Sequence, residues 1–150
     1  MTIKKILLAA DRSPRADAVA NLVADTARGA HATVRLLHVA PEPSAVHDSE
    51  GRVIAYADQE SASRTCEGLD FLHALEVHFG DVPLESVVRF GDPVAQILDE
   101  AETFGADLIV VCTAGRSGIG RVLLGSVAER VFAKATVPVM LVRPTAITLN

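Results

Sequence analysis

The run Ile3–Ala10 is continuously apolar once past Lys4 and Lys5, and Leu108–Val111 is apolar throughout. Strands without a polar residue at every second position are covered on both faces, the condition of a parallel sheet packed between helix layers. Between these runs the hydrophobic spacing becomes helical. Val19, Leu22, Val23 and Ala27 share one face, as do Val94, Ile97, Leu98 and Ala101, and then Ala128, Val131, Phe132 and Ala135. Thr33–Val39, Pro83–Phe90 and Val137–Val142 supply three more strands, and Tyr56–Phe79 is helical in composition, although Gly68 weakens its middle. Ser13-Pro14 and Asp92-Pro93 each read as an N-cap followed by proline at the first helical position, and Gly29 as a helix stop. Residues 41–53 carry two prolines and no period, which marks a surface connection.

Strand alternating with helix predicts an α/β fold: a Rossmann-like, open, five-stranded parallel sheet with helices on both faces, in one domain spanning residues 1–150. Ligands of such sheets sit beyond the carboxyl ends of the strands, where the winding direction reverses. With the first and fourth strands as neighbours at that reversal, Asp11 and the 112–126 loop would face each other across the crevice.

Composition narrows the partners. A net charge of −5 argues against a nucleic-acid-binding surface, which needs a basic excess. No stretch approaches the ~20 apolar residues that cross a bilayer, and the amino terminus lacks the apolar core of a signal peptide, so a cytoplasmic protein without a membrane partner is the expectation. Cys66 and Cys112 form neither a disulfide framework nor a CxxC pair, and the five histidines show no metal-ligand spacing. Cys66 is expected in the core, His38 as hydrogen-bonded structure, and Asp99, Glu100 and Glu102 on the solvated side of their helix. No nucleophile with an evident base is present, so no catalytic residue is assigned.

The segment from Cys112 to Ser126 holds Gly115, Gly118, Gly120 and Gly125 between a strand and a helix start. Backbone N–H groups in such a loop, with the positive end of the helix dipole, form an anion cradle. Arg116 and Arg121 read either as phosphate contacts or as solvated charges. Two familiar phosphate loops do not fit. The first strand ends in Ala10-Asp11-Arg12-Ser13-Pro14, without the glycines of a dinucleotide fingerprint, and Gly120-x4-Gly125 is followed by Ser126 where a P-loop needs lysine.

What the loop does resemble is the universal stress protein family, whose nucleotide-binding members carry G-x2-G-x9-G-[S/T] after the fourth strand. Gly115, nine intervening residues, Gly125 and Ser126 match its second part, and the run Leu123–Val131 is very like the family's. Lys4–Ser13, Leu36–Val39, Gly91-Asp92-Pro93 and Ala106–Val111 are also similar to family segments, so the resemblance extends over essentially the whole chain. It implies a stress-response regulator that binds ATP, AMP or another adenine nucleotide, with Mg2+ if ATP is bound, and with slow hydrolysis at most. The implied site has Asp11 at the ribose, flanked by Ala9 and Ala10, with Val39 at the adenine edge and Val111 lining that pocket. Gly115, Arg116, Gly125, Ser126 and Val127 would surround the phosphates.

One position departs from the motif: Cys112 stands where the first glycine belongs. A side chain there either strains a left-handed backbone or crowds the ligand. The alternative is therefore a family member that binds no nucleotide and acts as a dimeric scaffold. Asp11 reads equally as a helix cap. The apolar strand Val137–Val142 would be an aggregation hazard at a sheet edge unless paired. In many members of the family it pairs with its own copy, so a homodimer through that strand is expected.

Overall fold

A computed structural model describes residues 2–42, 46–55, 57–113 and 125–143. Gly115, Arg116 and Arg121 lie outside the described residues. Five parallel strands make the central sheet: β1 (Lys5–Ala9), β2 (Thr33–Ala40), β5 (Leu84–Phe90), β6 (Leu108–Cys112) and β7 (Val139–Val142). Their order is β5-β2-β1-β6-β7, so the chain winds outward from β1 and then returns to its other side. The winding reverses between β1 and β6, as expected from the sequence.

Among the described residues four helices cover the sheet: α1 (Ala16–Ala30), α2 (Ala57–Glu76), α3 (Pro93–Phe104) and α4 (Ser126–Lys134). Side chains alternate across each strand, and this sorts the core into two layers. Ile6, Leu8, Leu36 and Val110 pack with Val19, Val23, Leu72 and Leu75 of α1 and α2. Leu7, Leu37, Ile109 and Val111 pack with Val94, Ile97, Ala128 and Val131 of α3 and α4. Two helix layers on an apolar sheet explain why the central strands carry so few polar residues.

Several expectations need correcting. Residues 41–53 are not wholly irregular: β3 (Val46–His47) pairs antiparallel with β4 (Val53–Ala55). The turn between them is built by Asp48, whose Oδ1 accepts the N–H groups of Glu50 and Arg52, with Gly51 at φ 82°. Ser13-Pro14 does not open α1. Ser13 instead closes a turn, its carbonyl accepting from Ala16 and its own N–H donating to Asp11 Oδ1, and the helix N-cap is Arg15 with no side-chain cap bond. Nor does Gly29 end α1. The stop is His31 at φ 54°, where the chain swings so that Thr33 N–H can reach Lys4 O and begin β2. By contrast Asp92 caps α3 as read, accepting from Ala95 N–H with Pro93 in the first turn.

Four side chains also differ from expectation, the first being Leu22 of α1, which is 45% exposed. Cys66 is exposed, on the outer side of α2. Phe132 is 60% exposed, because Ala128 and Val131 take the buried face of the short α4. Glu100 is buried, not solvated. It follows Ile97 by three residues and precedes Phe104 by four, so it shares their inward face, where Arg35 Nη1 lies 2.9 Å and Arg89 Nε 3.3 Å from its carboxylate.

Candidate functional site

β1, β2 and β6 end at the reversal, and their carboxyl ends border a cleft of about 480 Å³. β1 and the residues after it bring Ala9, Ala10 and Asp11, while β2 brings Val39 and β6 brings Val111 and Cys112. Gly125, Ser126 and Val127 come from the start of α4. Nine of the eleven residues selected from sequence thus border one space, and the other two, Gly115 and Arg116, lie outside the described residues. Arg12, Leu37, His38, Pro93, Ile97 and Ala128 complete the lining and were not selected. Pro93 carried a usable signal: a helix that follows a parallel strand starts on the ligand side of the sheet.

The two ends of the cleft differ chemically. Val39, Ile97 and Val111 give an apolar wall suited to a flat ring. At α4 the first turn presents N–H groups without intrahelical partners, and its N-cap residue, Gly125, has no side chain to cap them. Ser126 adds an exposed hydroxyl. Gly125 sits at φ −62°, ψ 153°, so its role is to leave space and not to supply a left-handed turn.

Cys112 resolves one of the two concerns raised by the sequence. Among the described residues His31 is the only non-glycine at positive φ, so Cys112 sits in ordinary extended backbone without strain. Its effect on a ligand is one of bulk. Burial, with a smaller contribution from the Asp11 carboxylate, pushes its thiol up to about 12, so at neutral pH it is a protonated, weakly polar wall.

On the α1/α2 side, the His38 ring meets Phe71 edge-on, with centroids 5.5 Å apart, and the Arg12 guanidinium lies 5.5 Å from the centre of the same ring. Burial lowers the His38 pKa below its usual value, and the Arg12 charge lowers it further. The neutral imidazole is therefore favoured. Gly68 makes this packing feasible: a Cβ there would lie 2.8 Å from Val88 Cγ2 and 3.0 Å from His38 Cδ2. The glycine that weakens α2 as a helix lets it lie close against β2 and β5.

Comparison with known proteins now identifies the lineage. The model of the Universal stress protein family matches residues 2–143. The chain belongs to the universal stress protein family. A relative is the universal stress protein in the QAH/OAS sulfhydrylase 3′ region of Thermus aquaticus, 35% identical over 141 residues, 93% of this chain and 98% of that protein. Universal stress protein MJ0531 of Methanocaldococcus jannaschii is 45% identical over a shorter stretch of 62 residues, 41% of this chain and 36% of that protein. Among solved structures, MJ0577 of the same archaeon superimposes with a TM-score of 0.78 at 26% identity, covering 98% of this chain and 100% of that one. A universal stress protein in complex with cAMP superimposes at 0.68 with 19% identity, covering 97% and 100% of the two chains. The Archaeoglobus fulgidus protein in complex with dAMP does so at 0.59 with 23% identity, covering 94% and 98%. At those identities the last two likenesses are of fold. Among the described residues, no helix of this family member is long and apolar enough to cross a membrane.

Proposed function

We propose that this universal stress protein binds an adenine nucleotide, ATP or a relative of it, in the cleft at the β1/β6 reversal. The reading rests on one observation: an apolar wall and a helix start with a glycine N-cap border the same 480 Å³ space. Adenine would lie against Val39 and Val111, the ribose would meet the exposed Asp11 carboxylate, and the phosphates would take N–H groups of Gly125, Ser126 and Val127 with the Ser126 hydroxyl. Gly115 and Arg116 belong to the same proposal as phosphate contacts. When ATP is the ligand, Mg2+ would draw most of its oxygen ligands from the phosphates and water. That relatives of this fold hold cAMP and dAMP supports the class of ligand.

The output of such a site is occupancy, with little or no turnover. Its consequence would be a regulatory change of shape or partner in a cytoplasmic stress response. The edge position of β7 supports a homodimer formed by pairing that strand with its copy. Isothermal calorimetry with ATP and AMP tests the binding reading, and Gly125→Val supplies the control. Its backbone angles accept valine, so the variant should fold and lose affinity at least tenfold. Unchanged affinity would move the ligand elsewhere. Absence of binding by the unaltered protein would favour the scaffold reading, in which Cys112 fills the space a nucleotide needs.

A further inference from the structure

The cleft has a second side that the phosphate reading does not use. Side chains alternate along β2, so Leu37 and Val39 belong to the α3/α4 layer while His38 points into the α1/α2 layer, and all three line the cleft. The space therefore straddles the sheet edge. Ser126 and the start of α4 lie on one flank, Arg12, His38 and Phe71 on the other, and Asp11 between them.

Arg12 is the cation of that second flank. It is exposed and, among the described residues, has no carboxylate within ion-pair distance, although Glu67 and Asp70 border the adjoining hollow with it. A ring contact with Phe71 restrains the guanidinium but uses none of its five N–H donors, and among the described residues no acceptor takes them, so they suit a planar, two-point contact with an oxyanion. Its charge is felt within the cleft, since it helps hold the half-buried His38 neutral. Asp11 repels anionic groups from the middle of the space. A negatively charged ligand is thereby directed to the two flanks.

We infer that Arg12, steadied on Phe71, is a second anion-binding element of the cleft and selects adenine nucleotides bearing a phosphate on the ribose side as well as at the 5′ position. The inference rests on the nucleotide reading above. With the 5′ phosphate at α4 and the ribose at Asp11, a 2′ or 3′ substituent faces the neighbouring residue, Arg12.

Titrating the whole protein with 5′-AMP and with adenosine 3′,5′-bisphosphate and 2′,5′-bisphosphate in the same buffer decides the point. At least one bisphosphate should bind roughly five- to tenfold tighter than AMP, the scale of one charge-assisted contact at a partly exposed site. Arg12→Gln should erase that ratio, and Arg12→Lys should keep only part of it, having charge without the fork. Arg12 is exposed, so thermal unfolding of the variants should match that of the unaltered protein. Equal affinities for AMP and both bisphosphates, or a preference that survives Arg12→Gln, would overturn the selectivity and leave the nucleotide site intact. Failure of all three to bind at millimolar concentration would overturn both.

Discussion

Replacing Glu100 should destabilise this protein more than any other single charged side chain on α3. Its carboxylate is 5% exposed and is held by Arg35 Nη1 at 2.9 Å and Arg89 Nε at 3.3 Å. Arg35 is itself 16% exposed, bonds Glu85 at 2.8 Å and lies 4.2 Å from the centre of the Phe104 ring. Glu100→Ala leaves two largely buried guanidinium groups without their central partner. Removing one member of a buried ion pair typically costs ~3–5 kcal/mol. The low end applies here, because Arg35 keeps Glu85 and Arg89 keeps the carbonyl of Gln96. A loss of about 3 kcal/mol corresponds to a fall in Tm of about 6–12 °C for a domain of this size.

Two companion variants separate charge from packing. Glu100→Gln retains an acceptor and should lose about 1–2 kcal/mol. The triple variant Glu100→Leu, Arg35→Met, Arg89→Leu removes the buried charges together and should recover to within about 1 kcal/mol of the parent. Urea unfolding followed by circular dichroism, with slopes compared to verify a common unfolding transition, gives all three values. If Glu100→Ala lost less than about 1 kcal/mol, the carboxylate would be solvated and the inward face assigned to it would be wrong. A triple variant as unstable as the single one would refute the reasoning in a different way, by showing that the pairs themselves contribute net stability.

Gly68→Ala should destabilise by about 1 kcal/mol: overpacking against Val88 and His38 costs ~1–3 kcal/mol, while replacing a mid-helix glycine regains up to ~1 kcal/mol. A more stable variant in thermal unfolding would contradict the close approach of α2. The Cys112 thiol, pushed up to about 12, should react with a disulfide reagent at pH 8 far more slowly than exposed Cys66, so Cys66→Ser should remove the fast phase of labelling. A fast phase surviving in Cys66→Ser would place an ionised thiol in the cleft. His38 should titrate by NMR below its usual value, and Arg12→Gln should raise its pKa only partway, since burial is the larger cause. Because the folded pKa is depressed, the unfolded chain binds more protons in that interval. The stability from neutral His38 is therefore present in full above about pH 6.5 and is lost as pH falls through the folded pKa. A normal His38 pKa would overturn this.

The parts of the fold legible in the sequence were those set by local chemistry. Uninterrupted apolar residues mark Leu108–Val111 as a central strand whatever lies beside it, and Asp92-Pro93 caps α3 with groups only three residues apart. The ligand-side position of Asp11, Val39 and Ser126 followed from topology and from resemblance together. Long-range effects were not legible. Glu100 reads as a surface residue because its two arginine partners are 65 and 11 residues away in sequence and belong to strands. Gly68 reads as a helix defect because the Val88 and His38 atoms that require it belong to other elements. Ser13-Pro14 has the composition of a helix start, but Asp11 takes the Ser13 N–H and turns the segment before the helix can begin.

Those long-range contacts also account for the shape of the cleft. β1 is central, so the segments leaving β1 and β6 go to opposite faces: residues 10–15 lead to α1, and the chain after β6 returns as α4. Among the described residues, nothing from either layer covers the strand ends between them. Ala9, Ala10 and Gly125, which border that opening, have little or no side chain to fill it. The α4 flank is held by Ala128 and Val131 in one core layer, and the Arg12 flank by Phe71 and His38 against the other. Each flank is thus anchored to its own layer across a stiff five-stranded sheet. Under the proposed function, a ligand touching both flanks would bridge the two core layers, a route by which occupancy would be felt on both faces of the sheet.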